Sequence, residues 1–230
     1  MNRKTSLPPL QEQISAYGLQ RRNMLKFFGA SAAIITIGSA CSDDNDPMPG
    51  AGGVNLGSGD IGILNYAYAL EQLEAAFYIR VASTPYTGIT ATETSFLNDI
   101  RDHEVAHREF FKAALGANAI GNLEVDFSSI NFGSRADVLG AARTFEDLGV
   151  SAYNGAGKLL VSPDYLGLAG KIVSVEARHA ATIRELLVLN SFAETTDANG
   201  LDTALMPLQV LAAADTYIVT QISASHLPSS

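Results

Sequence analysis

Glu104-Val105-Ala106-His107 and Glu176-Ala177-Arg178-His179 repeat one pattern, Glu-x-x-His, in two separate parts of the chain. Residues three positions apart leave the same face of an α-helix, so each stretch can offer a carboxylate and an imidazole to one metal ion. A single Glu-x-x-His arises often by chance, whereas two in one chain of 230 residues are more specific. The pair therefore predicts two helices that face a shared metal-binding core.

Two further glutamates, Glu71 and Glu146, stand in the middle of apolar stripes with helical spacing. A buried carboxylate is costly unless it is paired or bound to a cation. In four-helix bundles that bind two metal ions, two helices supply one glutamate each and the other two supply Glu-x-x-His. Oxygen donors with two imidazoles suit iron or manganese. The predicted ligands of two Fe or Mn ions are Glu71, Glu104, His107, Glu146, Glu176 and His179.

Capping signals place four helices around these residues. The clearest is Thr90-Ala91-Thr92-Glu93, a capping box in which the threonine and the glutamate satisfy each other's free amides. Ser162-Pro163 combines a capping serine with a proline at the first helical position. The four predicted helices begin near Asp60, Thr90, Ser134 and Ser162, with Asp60 as the predicted N-cap of the first.

The connections between these helices predict how they are arranged. Pro85 and Gly88 allow only a short turn between the first two helices, whereas residues 117–133 form an unusually long loop. A long loop at this place indicates a crossover between two helical hairpins. We therefore predict an all-α four-helix bundle with a long crossover between helices 2 and 3. A short helical extension follows from about residue 201, with Pro207 interrupting any longer helix.

The two halves of the predicted bundle resemble each other in sequence. Residues 71–78 align with residues 146–153, and a tyrosine follows the glutamate by seven positions in both, at Tyr78 and Tyr153. These tyrosines are either core aromatics or groups that hydrogen-bond a ligand carboxylate and so hold it in place. Glu74 lies one helical turn from Glu71 and is the alternative ligand from the first helix; the tyrosine alignment favours Glu71.

Other polar residues near the motifs receive simpler interpretations. His103 and Asp102 adjoin the second helix's motif but are predicted to point towards the surface, and no role is predicted for His226. The competing interpretation of the whole pattern is that the acids are solvated helix-face residues and the histidines are partners of ordinary polar groups.

The first forty residues are typical of a bacterial export signal. A basic region with Arg21-Arg22 precedes an apolar run at residues 27–37, which is too short to span a bilayer, and small residues lead to Cys41. The order Arg-Arg-x-x-Leu-Lys resembles a twin-arginine signal. Cys41 stands where a lipoprotein carries its lipid, with ordinary cleavage after Ala40 as the alternative. Either route predicts an exported, periplasmic or lipid-anchored protein of the cell envelope.

The predicted organisation has four parts, and the lipid at Cys41 is the only expected link to a membrane. The acidic, Gly- and Pro-rich stretch after Cys41 is typical of a flexible tether. The parts are an export signal at 1–40, a tether at 41–59, the helical bundle at 60–190 and a C-terminal extension at 191–230.

Charge and cysteine content exclude several classes of function. The chain has 24 acidic and 15 basic residues, and five of the basic ones lie in the first forty positions together with one acid, so residues 41–230 carry a net charge of −13. Such a surface repels phosphate backbones, which argues against nucleic-acid binding. With Cys41 as the single cysteine, an internal disulfide, a zinc finger and an iron–sulfur cluster are all excluded.

The order and spacing of these motifs resemble the ferritin-like superfamily, which includes rubrerythrins and bacterioferritins. Leu70-Glu71, residues 74–78 and residues 146–150 look most like its branch of exported bacterial and plant desiccation-related proteins. The resemblance covers about residues 60–190 and implies a left-handed bundle, often with a di-iron centre that reacts with dioxygen or peroxide. The cysteines of a rubredoxin domain, found in rubrerythrins, are missing here.

Three functions are compatible with that resemblance. The first is oxidation of Fe(II), or removal of oxygen or peroxide, in the cell envelope, with Glu104 and Glu176 as bridges and Glu71 and Glu146 as terminal ligands. The second is a non-enzymatic stress, desiccation-related or binding role on the same scaffold. The third is metal binding that stabilises the fold without turnover. Dioxygen or peroxide is the expected small-molecule partner, and a homo-oligomer is compatible with the sequence.

Overall fold

The computed structural model describes residues 53–229, and the predicted export signal, Cys41 and most of the predicted tether lie outside this range. The prediction of an all-α four-helix bundle is confirmed. Four long helices are followed by a short fifth one, a single 3-10 turn extends the second, and a minimal parallel sheet joins the two ends of the described chain. The bounds are α1 Gly59–Ser83, α2 Ala91–Leu115, α3 Arg135–Gly157, α4 Pro163–Leu187, α5 Pro207–Ala214, β1 Val54–Asn55 and β2 Ile222–Ser223, with the 3-10 turn at Gly116–Asn118.

The predicted caps begin three of the four long helices. Thr90 and Glu93 form the capping box: the Glu93 amide donates to Thr90 Oγ1 at 3.1 Å, and the Thr90 amide donates to Glu93 Oε2 at 2.9 Å. Ser134 and Ser162 each accept a hydrogen bond from the backbone amide three residues ahead. These bonds satisfy amides that have no partner within the helix.

The prediction of Asp60 as a cap was wrong, because the N-cap of α1 is Ser58, two residues earlier. Asp60 lies in the first turn, where its two carboxylate oxygens accept hydrogen bonds from the amides of Val161 and Ser162, each at 2.8 Å. Its carboxylate therefore fixes the loop between α3 and α4. The partner lies about one hundred residues away in the sequence, which a local capping pattern cannot reveal.

The helices form two antiparallel hairpins, α1 with α2 and α3 with α4, which pack through α1–α3 and α2–α4. The predicted long crossover joins them, and α1 holds it with two buried amide side chains. Asn65 donates to the carbonyl of Asn118 and accepts from the amide of Ile120. Gln72 likewise accepts from the amide of Leu123. Asn65 and Gln72 therefore can be buried on α1 because they form hydrogen bonds with backbone groups of the crossover.

Residues after α4 return to the bundle. Pro207 does not interrupt the fifth helix but begins it, since a proline's missing N–H costs nothing in the first turn. Val210, Ala214 and Ile218 are buried in the main core. β2 then pairs in parallel with β1, with Val54 opposite Ile222. Among residues 53–229, no helix combines the length and apolar character that a membrane span requires.

We predict that Gly155→Ala destabilises the protein, because Gly155 is where the C-terminal segment crosses α3. A Cβ at this position would lie 1.8 Å from the backbone oxygen of Leu205, whose amide bonds to the carbonyl of Ser151. Displacing this backbone should cost about 1–3 kcal/mol in the free energy of unfolding, measured by urea denaturation.

Gly140→Ala is the matched control, since it lies in the same helix and a Cβ there meets nothing within 4 Å. It should stabilise α3 by up to about 1 kcal/mol through higher helix propensity. Equal effects of the two substitutions would show that the crossing at Gly155 is not tightly packed.

Candidate metal centre

Each of the four long helices brings a fully buried glutamate to the middle of the bundle. Glu71, Glu104, Glu146 and Glu176 are all 0% exposed. His179 is buried beside them, and His107 is half-buried with 12% of its side chain exposed. All six residues predicted as ligands therefore lie together. Apolar side chains pack on both sides along the bundle axis, with Leu97, Leu139 and Ile183 towards one end and Leu64, Phe111 and Ile172 towards the other.

The six side chains form two overlapping groups of donors. Within each group, one donor atom from every residue lies within 4.8 Å of the others. Both groups contain Glu104 and Glu176, so these two carboxylates lie between the two positions. The first group is Glu71, Glu104, His107 and Glu176, and the second is Glu104, Glu146, Glu176 and His179.

The histidines point their Nδ1 atoms at the carboxylates. Nδ1 of His107 lies 3.0 Å from Glu176 Oε1 and 3.4 Å from Glu71 Oε2. Nδ1 of His179 lies 2.8 Å from Glu104 Oε1 and 3.4 Å from Glu146 Oε2. Nδ1 of His107 also lies 3.6 Å from Glu104 Oε2. Each imidazole thus faces at least one carboxylate shared by the two groups and one that belongs to its own group.

These buried atoms fit a cation better than they fit one another. Although close, the nitrogen–oxygen pairs are not aligned as hydrogen bonds, and both Nδ1 atoms and at least one oxygen of each glutamate lack a hydrogen-bond partner among residues 53–229. A buried, unsatisfied polar atom is costly, and nearly all are paired in native proteins. Carboxylate oxygens with imidazole nitrogens are donors that suit iron or manganese. The cluster can therefore bind metal ions.

Two tyrosines orient the glutamates across the bundle. The hydroxyl of Tyr78 on α1 donates to Glu146 on α3, and the hydroxyl of Tyr153 on α3 donates to Glu71 on α1. Burial raises the pKa of both phenols well above the usual value, and the neighbouring carboxylates raise it further, so each remains a neutral donor. Of the two roles considered for these tyrosines, the structure shows the hydrogen bond to a carboxylate of the cluster.

Glu74 lies beside the cluster in addition to Glu71, so the two are not alternatives in position. Glu74 is buried and belongs to neither donor group. Its carboxylate occupies the space that Gly149 leaves: a Cβ on Gly149 would lie 3.0 Å from Glu74 Oε1 and 3.3 Å from Glu176 Oε2. In the alignment of the two halves of the sequence, Glu74 corresponds to Gly149. A glutamate in one half and a glycine at the same place in the other half indicate that the glutamate fills the space beside the glycine, a signal that the sequence analysis missed.

His103 does not point to the surface as predicted. It is half-buried, and its Nδ1 lies 2.9 Å from Nε2 of His179. Its neighbour Asp102 is exposed as predicted and pairs with Arg101 at 2.9 Å. His103 lies four positions before His107, a spacing that puts both on one face of α2 and would have indicated its place near the cluster.

Without metal, the cluster balances its own charge with protons. Burial raises the pKa of Glu71 to about 7 and raises that of Glu74 and Glu176 well above the usual value, with neighbouring carboxylates adding to it. Burial alone would lower the pKa of His179, but Glu104 and Glu146 outweigh this and raise it to about 10. Glu104 is the exception: burial opposes its ionisation, yet the two imidazoles beside it lower its pKa to about 2.

The fold and the site together define a class of protein: a four-helix bundle with a buried carboxylate–histidine cluster at its centre. The family model described as "Ferritin-like domain" matches residues 59–189, from the first residue of α1 to two residues beyond α4. This match covers more than half of the chain, and the protein belongs to the ferritin-like family. No curated protein matches the chain significantly.

We predict that the metal-free protein becomes less stable as the pH rises through neutrality. Glu71 has a folded pKa of about 7, above its usual 4.5, so the stability of its protonated form is lost as the pH rises from about 4.5 through 7. The stability contributed by protonated His179 is lost between its usual 6.5 and about 10, in the same direction. Thermal unfolding in the presence of a chelator, followed across this range, measures the effect.

Adding Mn(II) should reverse this trend. Bound metal needs deprotonated carboxylates and an imidazole nitrogen free of its proton, so its apparent affinity rises with pH, and the stabilisation rises with affinity. A melting temperature that depends on pH in the same way with and without Mn(II) would contradict the involvement of these groups in metal binding.

Proposed function

We propose that this ferritin-like protein is an exported di-metal carboxylate protein that binds two iron or manganese ions and reacts with dioxygen or peroxide in the cell envelope. The observation that carries the proposal is the pair of donor groups sharing Glu104 and Glu176. Two groups that share two carboxylates suit two metal ions held close together better than two independent sites.

The chain's own charges support this number of ions. Four glutamates provide four negative charges when ionised, and the two imidazoles are neutral when they bind metal, so the six side chains balance two divalent cations. Glu104 and Glu176 would bridge the ions, while Glu71 and Glu146 would be terminal ligands held in place by Tyr153 and Tyr78.

Bound Fe(II) or Mn(II) would supply the electrons that reduce dioxygen or peroxide. The protein would hold the ligands and exclude bulk water, since the four glutamates are fully buried between two apolar layers. The partial exposure of His107 makes its side of the cluster the nearest to solvent. Glu74, with its raised pKa, would hold a proton on the carboxylate beside Glu176.

Export to the cell envelope is supported by the sequence. Arg21-Arg22, the apolar run and the small residues before Cys41 have the order of an export signal, and the following acidic stretch would act as a tether. A twin-arginine signal, which directs proteins exported in the folded state, would suit a protein that acquires its metal before crossing the membrane. Metabolic labelling with a fatty acid, compared between the natural chain and Cys41→Ser, tests the lipid anchor.

We predict that the full chain, purified without a metal-binding tag, contains about two equivalents of iron or manganese. Replacing both shared ligands, in Glu104→Ala with Glu176→Ala, should remove nearly all of the metal, as measured by elemental analysis. Glu109→Ala is the control because Glu109 is an exposed glutamate on the same helix as Glu104. A folded natural chain that contains no metal and does not take up added Fe(II) would refute the proposal.

Oxygen reactivity separates the three functions compatible with the family. Mixing the Fe(II)-loaded protein with dioxygen should change its near-ultraviolet absorbance, and the double variant Glu104→Ala with His107→Ala should not show this change. Metal uptake without an oxygen-dependent change would instead favour binding without turnover. A biological role retained by the metal-free double variant would favour the non-enzymatic scaffold, for which the residues of the centre are not required.

A further inference from the structure

His179 faces two different environments with its two ring nitrogens. Nδ1 points into the cluster, 2.8 Å from Glu104 Oε1, and Nε2 points away from it, 2.9 Å from Nδ1 of His103. His103 belongs to α2 and His179 to α4, so this contact links the two helices that carry the Glu-x-x-His motifs.

The chemistry of imidazole fixes the direction of this contact. If Nδ1 of His179 binds a metal ion through its lone pair, the proton of the neutral ring lies on Nε2, which then donates. Nδ1 of His103 must accept, and His103 therefore carries its own proton on Nε2. His103 thus accepts from the metal-binding form of His179.

The ring geometry fits a hydrogen bond between the two imidazoles. Their planes are within 10° of parallel, and their centroids are 5.1 Å apart. A nitrogen–nitrogen distance of 2.9 Å is shorter than a van der Waals contact between stacked rings, so the rings lie nearly in one plane and meet edge to edge. In that arrangement His103 restricts both the rotation and the tautomer of His179.

We propose that His103 is a positioning residue that selects the metal-binding tautomer and orientation of His179. This inference rests on the proposed di-metal function. We expect His103 to affect only one of the two metal positions, because His179 belongs only to the donor group with Glu104, Glu146 and Glu176. The group with His107 contains no hydrogen-bond partner of His103. Outer partners of metal-bound histidines typically contribute a factor of about 10 to 100 in metal affinity.

A matched pair of substitutions tests this role. Asn places its Oδ1 one bond from Cγ, as His places Nδ1, so His103→Asn keeps an acceptor near the same point. His103→Leu has a similar branch but no acceptor, and leucine has the higher helix propensity, so a purely structural role would favour the leucine variant. Asp102→Asn is the control for a change at an exposed neighbouring position. Full-length metal-free proteins are titrated with Mn(II) and followed by electron paramagnetic resonance.

We expect the natural chain, His103→Asn and Asp102→Asn to bind a second Mn(II) and to show the signal of a coupled pair. His103→Leu should bind the first Mn(II) normally and the second about 10- to 100-fold more weakly, with the six-line signal of isolated Mn(II). If the leucine variant does not fold by circular dichroism, His103→Ala replaces it as the acceptor-free protein.

Two results would overturn the inference while leaving the proposed function intact. One is that the leucine variant binds both ions as the natural chain does. The other is that the asparagine and leucine variants lose the second ion equally, which would assign the effect to shape and not to the acceptor. A natural chain that binds two ions of neither Mn(II) nor Fe(II) would overturn the proposed di-metal function, and with it the role of His103.

Discussion

Five carboxylates are buried in one layer of the bundle, and their mutual repulsion constrains the side chains around them. Glu71, Glu74, Glu104, Glu146 and Glu176 lie within a core that is apolar above and below them. Like charges this close cannot all remain ionised without cations. The metal-free protein meets the constraint with protonated imidazoles and protonated carboxylates, whereas metal ions would replace those protons. The same layer therefore has two states of similar net charge, which makes metal binding an exchange of cations for protons.

The constraint also joins the two helical hairpins. Tyr78 of the first hairpin bonds to Glu146 of the second, and Tyr153 of the second bonds to Glu71 of the first. His179 faces Glu104, and His107 faces Glu176, again across the hairpins. Neither hairpin alone provides partners for its buried carboxylates and imidazoles. The polar layer therefore destabilises an isolated hairpin and is stabilised only when the two hairpins pack together. Our hypothesis is that this polar layer costs stability and favours one register of packing between the hairpins.

The candidate ligands could be predicted from the sequence because their motif is repeated in the two halves of the chain. Glu-x-x-His on two helices, with a glutamate and a later tyrosine on the other two, is a pattern along single helices, and helix geometry fixes which side chains share a face. His103 and Asp60 were misplaced because their partners, His179 and the loop at Val161–Ser162, are distant in sequence. The sequence of α1 alone presents Glu74 as an alternative to Glu71, because the missing side chain of Gly149, which leaves room for Glu74, belongs to another helix.

The motif from His103 to His107 shows that a short sequence pattern can serve different chemistry in different folds. His-Glu-x-x-His on a helix is also the pattern of zinc proteases, in which both histidines bind one zinc ion and the glutamate serves as a base. Here Glu104 is fully buried and shared by both donor groups, and Nδ1 of His107 faces Glu71 and Glu176. His103 meets another histidine instead of sharing a metal with His107. The three opposing helices supply carboxylates where a protease would need an open cleft, so the same five residues form part of an enclosed carboxylate centre.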